Sequence, residues 1–158
     1  MDISQLLAFA VKEEILRNVL KSHQRVLVLG FSGTGKTSCT LRALANLGTP
    51  CYFSPLPYDA DILRTYAPAV NLLSNIPKTP PENVTSPMLI VDGLHKIQPE
   101  QVPEVIHVLK EPGMWQKVVL TSQILIDSKD LMPNIEVVVK MKDKTAEMMY
   151  SKLLDVEK

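Results

Sequence analysis

The sequence predicts an α/β protein, a three-layer sandwich with a five-stranded parallel sheet between layers of helix, and three observations carry that prediction. Short apolar runs recur at 25–29, 51–53, 88–92, 117–121 and 135–140, the pattern of strands buried on both faces. Segments whose apolar residues recur at helical spacing lie between most of them, so right-handed crossovers bring the strands parallel. A glycine-rich turn, Gly30-Phe31-Ser32-Gly33-Thr34-Gly35-Lys36-Thr37, joins the first strand to the helix after it.

Taken in order, Ile3, Leu7, Val11, Ile15 and Val19, widened by Leu6, Ala10, Leu16 and Leu20, mark an amphipathic helix over 2–20. Its stripe suits packing on the sheet, with a lid or partner face as the other use. The first strand is the apolar run Arg25-Val26-Leu27-Val28-Leu29. Beyond the glycine-rich turn, Leu41, Leu44, Ala45 and Leu47 continue a helix that Gly48 and Pro50 stop. Cys51-Tyr52-Phe53 is a short β-prone second strand. Pro55, Pro57, Pro68, Pro77, Pro80, Pro81 and Pro87 then forbid a long helix. The spacing allows a short helix around 59–66, with Ile62, Leu63 and Tyr66 facing in, and a helical turn or two through Leu72 and Leu73; 76–87 reads as a loop suited to partner contact.

Met88-Leu89-Ile90-Val91-Asp92 is an apolar strand tipped by a carboxylate. Pro103 suits a first helical position, and Val105, Ile106, Val108 and Leu109 carry a crossover helix to Glu111-Pro112-Gly113. The strand 117–121 ends in Thr121-Ser122-Gln123, and ligands of open parallel sheets bind outside that edge. After the last strand, Ala146, Met149, Tyr150, Leu153 and Leu154 fit a closing helix.

The chemistry is concentrated in the turn. It matches G-x-x-x-x-G-K-[ST] at every specified position, in the required setting of apolar strand before and helix after. Glycines let successive N–H groups point inward at a phosphate, and the helix behind adds its positive end. The residues expected to bind nucleotide are Gly30, Phe31, Ser32, Gly33, Thr34, Gly35, Lys36, Thr37 and Ser38, with Lys36 on the β/γ-phosphates and the Thr37 hydroxyl on Mg²⁺. Asp92 is the expected second half of the metal site, orienting the Mg²⁺ water shell.

Composition narrows the rest. The chain has 158 residues, enough to bury a core without staples. Its 17 basic and 17 acidic residues cancel, so net charge recommends neither a nucleic-acid nor a membrane partner. Cys39 and Cys51 have neither metal-ligand nor disulfide-framework spacing and read as reduced thiols. No apolar run approaches the roughly 18 residues of a membrane span. With Asp2 where a signal peptide carries basic residues, the expectation is a cytoplasmic protein.

With the loop, the Asp-tipped strand and the polar-tipped strand in this order, residues 25–154 resemble the P-loop ATPases that place one strand between the loop strand and the Asp strand, the AAA+ and STAND branches. The run Val91-Asp92-Gly93-Leu94-His95-Lys96 looks closest to STAND or NACHT-type ATPases, in which it reads apolar-Asp-Gly-Leu-Asp-Glu. The resemblance implies a P-loop NTPase fold with sheet order 5-1-4-3-2, in a single domain spanning 1–158. It also implies a γ-phosphate sensor among Thr121, Ser122 and Gln123, and a catalytic set of Lys36, Asp92 and Ser122. The chain departs from the family where water is activated: Gly93 stands in place of the AAA+ glutamate, and His95 and Lys96 replace the STAND acids, a degenerate Walker B motif. Asp59 and Asp61 are other candidate carboxylates, and His95 another polar group.

The only arginines are Arg17, Arg25, Arg42 and Arg64, so none follows the Asp strand to serve as an arginine finger. Fingers are worth roughly 10³–10⁵ in rate. The expected function is therefore Mg·ATP binding with weak or partner-dependent hydrolysis, in a regulatory or assembly ATPase whose missing groups come in trans from a protein partner or a second copy. Two rivals remain at this level: a small-molecule or nucleotide kinase, and a non-catalytic scaffold holding a structural nucleotide.

Overall fold

Strand β1 (Arg25–Leu29) is buried at every position, and its side chains alternate between two separate apolar clusters. Val26 and Val28 join one cluster, Leu27 and Leu29 the other, as the two-residue period of a strand requires. The computed structural model describes residues 3–30, 36–111, 113–126, 128–141 and 148–152, with 3–12, 36 and 148–152 described by backbone alone.

The remaining strands among the described residues are β2 (Thr49–Phe53), β3 (Asn71–Leu72), β4 (Pro87–Asp92), β5 (Lys117–Ser122), β6 (Val137–Met141) and β7 (Met148–Lys152). They form one sheet in the order β3-β2-β4-β5-β1-β6-β7. The first six in that order run parallel, and β7 is antiparallel to β6. The sheet is thus a parallel α/β sheet, as expected, but the expected count of five is corrected. The expected order 5-1-4-3-2 survives as the core of the sheet, with β3 added at one edge and β7 at the other.

Each addition replaces an expected helix. Around Leu72 the chain pairs with β2, placing Asn71 opposite Cys51 and Leu72 opposite Tyr52. At the far edge, Met148–Lys152 pairs with the whole of β6 from Val137 to Met141. Helical periodicity in 146–154 lost to the unpaired N–H and C=O groups that β6 would otherwise present. The rest of that expected helix lies outside the described residues.

Among the described residues, four helices cover the sheet: α1 (Ile3–Ser22), α2 (Lys36–Leu44), α3 (Ala60–Tyr66) and α4 (Val102–Lys110). Leu16, Val19 and Leu20 of α1 pack with Leu41 and Leu44 of α2 and Leu63 of α3 over one face. Val105, Val108 and Leu109 of α4 cover the other with Trp115. Glu13 ties the first two helices, pairing with Arg17 at 2.9 Å and with Arg42 at 2.7 Å. The described part of α1 is therefore packed on the core and on α2.

The two ends of the sheet differ in chemistry. At the N-terminal end of the strands, the buried Arg25 guanidinium donates to the carbonyls of Leu109 at 3.0 Å and Gln24 at 3.0 Å, and to that of Trp115. Lys117 Nζ donates to the His23 carbonyl at 3.1 Å. Burial holds both cations below their ordinary pKa ranges, partly opposed by the charge of Glu136. At the C-terminal end, Leu29 lies opposite Ser122, and Asp92 opposite Thr121. That alignment brings the tips of β1, β4 and β5 to one edge.

Candidate functional site

The edge where β1, β4 and β5 end is closed by backbone bonds. Gly30 N–H, the first residue of the glycine-rich turn, donates to the Ser122 carbonyl at 3.1 Å. Phe31, Ser32, Gly33, Thr34 and Gly35 lie outside the described residues, as does the side chain of Lys36. What is described is where the turn delivers the chain: Lys36 begins α2, so Thr37 and Ser38 sit in its first turn.

Asp92 is the centre of the site. The Thr37 hydroxyl lies 3.0 Å from Asp92 Oδ1 and 2.9 Å from Oδ2, joining residues 55 apart in sequence. From the neighbouring strand on one side, the Tyr52 phenol donates to Oδ2 at 2.5 Å. From the other, the Thr121 hydroxyl donates to Oδ1. Thr121 Oγ1 in turn accepts from Gly93 N–H at 3.1 Å, so the Thr121 side chain bridges the tip of β4 on both sides of its last peptide. Tyr52 is 1% exposed, and burial first, then the charge of Asp92, pushes its phenol far above the ordinary range. It stays a protonated donor.

The other expected residues are placed as follows. The Ser122 hydroxyl donates to the Ile124 carbonyl at 2.5 Å and accepts from Ile124 N–H at 3.2 Å, so it closes its own turn. Gln123 is exposed, and its N–H donates to His95 Nδ1 at 3.3 Å. An accepting Nδ1 puts the proton of the neutral ring on Nε2. Asp59 caps α3, its carboxylate accepting from Asp61 N–H and Ile62 N–H at 2.9 and 3.2 Å. Arg17 pairs with Glu13 within α1, Arg42 pairs with the same Glu13 from α2, and Arg25 sits at the opposite end of the sheet.

Gly93 has φ +92°, a left-handed conformation that L side chains rarely adopt. The sharp turn directly after Asp92 thus accounts for a glycine at this position. Sequence reasoning missed Tyr52 altogether. The available signal was a tyrosine in a run otherwise fit for burial, since a buried phenol needs a hydrogen-bond partner.

Hard oxygen donors converge here: a hydroxyl at the start of a helix and a carboxylate at the tip of a strand, within 3.0 Å. That donor set fits Mg²⁺, which is held by one or two oxygen side chains and keeps most of its water.

No family model and no curated protein matches the chain. Among solved structures, it is similar to ATPases 2 and 3 of EssC from Geobacillus thermodenitrificans, with TM-score 0.51 and 14% identity over 76% of this chain. This chain spans 32% of that one's length. A second similar structure is the genome packaging NTPase B204 from Sulfolobus turreted icosahedral virus 2, in complex with ATP-gammaS. Its TM-score is 0.44 at 12% identity, over 74% of each chain. At the identity of the EssC match the likeness is one of fold: the chain has the α/β fold of P-loop ATPase domains.

Proposed function

We propose that residues 1–158 form one Mg·ATP-binding P-loop domain with weak or partner-dependent hydrolysis, working as a regulatory or assembly ATPase of the STAND-like branch. The observation that carries this is the contact of Thr37 with Asp92 at 2.9–3.0 Å. It joins the last residue of an intact G-x-x-x-x-G-K-[ST] motif to the strand-tip carboxylate at the edge where open parallel sheets bind ligands.

Gly30 to Ser38 would cradle the phosphates with backbone N–H groups, and Lys36 would reach the β/γ pair. Thr37 and Asp92 would hold Mg²⁺, which would offset the charge of the phosphates when bound. Of the three sensor candidates, Gln123 has the exposed side chain, whereas Thr121 is turned to Asp92 and Ser122 to its own turn. Slow hydrolysis follows from Gly93, which brings no carboxylate, and from the absence of any arginine after Arg64. A protein partner or a second copy of the chain would supply those groups in trans. Neither cysteine is in a disulfide, which suits the reducing cytoplasm.

The test is Mg·ATP binding and turnover measured across protein concentration, with size in solution recorded in parallel. Wild type should bind, Lys36→Ala should lose binding while staying folded, and turnover per chain should rise with concentration. Turnover by the isolated chain at about 10 s⁻¹, a median enzyme rate, would sink the partner-dependent reading. Loss of fold along with binding in Lys36→Ala would favour a structural nucleotide instead.

A further inference from the structure

We propose that Tyr52 is the positioning residue for Asp92: its phenol fixes the orientation of the carboxylate that the nucleotide reading assigns to Mg²⁺, and the assignment rests on that reading. The sheet makes the geometry. β2 pairs with β4 so that Tyr52 lies opposite Ile90, two residues before Asp92. Two residues of strand rise about 7 Å, a span the length of a tyrosine side chain covers and a serine or threonine does not. The phenol arrives at Asp92 Oδ2 at 2.5 Å.

Two features keep it there. The ring is 1% exposed within the cluster under α2, and the ring of Tyr58 packs edge-on against it, with centroids 5.2 Å apart and planes at 76°. Asp92 is then bracketed from both flanking strands, by Tyr52 on Oδ2 and Thr121 on Oδ1. A carboxylate pinned at both oxygens cannot rotate away from Thr37. Hydrogen bonds of this outer kind orient groups that serve a metal, and losing one typically costs about 10- to 100-fold in metal affinity.

The experiment compares wild type with Tyr52→Phe, which removes one O–H and keeps the ring. ADP affinity is measured by calorimetry with Mg²⁺ and with excess chelator, and thermal melting without ligand confirms that the variant is folded. The expected result is a Mg²⁺ enhancement of affinity reduced about 10- to 100-fold, with Mg²⁺-free affinity unchanged. An unchanged enhancement in folded Tyr52→Phe overturns the assignment and leaves nucleotide binding standing. Equal weakening with and without Mg²⁺ also overturns it, because the phenol would then serve the fold and not the metal. If wild type binds no ADP under either condition, the nucleotide reading falls and this assignment falls with it.

Discussion

Replacing Gly93 is the sharpest single-residue test of the turn that follows Asp92. At φ +92° a side chain is strained, and a Cβ there would also meet Leu56 Cδ1 at 3.2 Å. Gly93→Ala and Gly93→Glu should each lose about 1–3 kcal/mol of stability in denaturant titrations, and Gly93→Glu should gain no hydrolysis. A Gly93→Glu chain with wild-type stability and faster turnover would show that the turn tolerates an acid there. At this scale the pairing of Thr37 with Asp92 is legible in the motif and its spacing, and the structure brings the two side chains within 3.0 Å. The contact of Tyr52 is not, since its partner is set by the register of β2 against β4, a relation between residues 40 apart that no local pattern contains.

Among elements, the strands buried on both faces were readable, because continuous apolar runs have few other uses in a chain of this size. The two edge strands were not. Asn71–Leu72 is too short to carry a period, and Met148–Lys152 belongs to a stretch whose apolar spacing fits a helix equally well. What decides β7 is the open side of β6, a tertiary partner that overrides local preference. Adjacent residues of a strand point their N–H groups in opposite directions within the sheet. Of the two variants Tyr150→Pro and Ser151→Pro, one must therefore remove a bond to β6. That variant should speed hydrogen exchange in Val137–Met141 while leaving β4 and β5 protected; unchanged exchange in both would mean that β7 does not pair in solution.

For the molecule as a whole, burial of titratable groups on folding sets a response to pH. Burial pushes the Cys51 thiol from 9.0 up to about 11. Folding therefore keeps it protonated where the unfolded chain has ionised, so its contribution to stability is fully present below pH 9.0 and is lost as pH rises toward 11. Tyr52 works in the same direction from higher pH, and Lys117, lowered by burial, works in the opposite one. Comparing unfolding free energies of wild type and Cys51→Ala from pH 8 to 11 isolates the thiol: wild type should lose stability relative to the variant over that window. A difference independent of pH would contradict the burial of this thiol.

The separation of the two sheet ends decides what light can report about this protein. Trp115 is the sole tryptophan, 1% exposed, with its carbonyl against Arg25 at the N-terminal end of β5. The six residues of β5 put about 20 Å between it and Ser122. Tryptophan fluorescence is therefore a gauge of whether the core is closed, with its one reporter remote from the opposite edge, so the proposed binding of nucleotide is better followed by heat or by a labelled ligand.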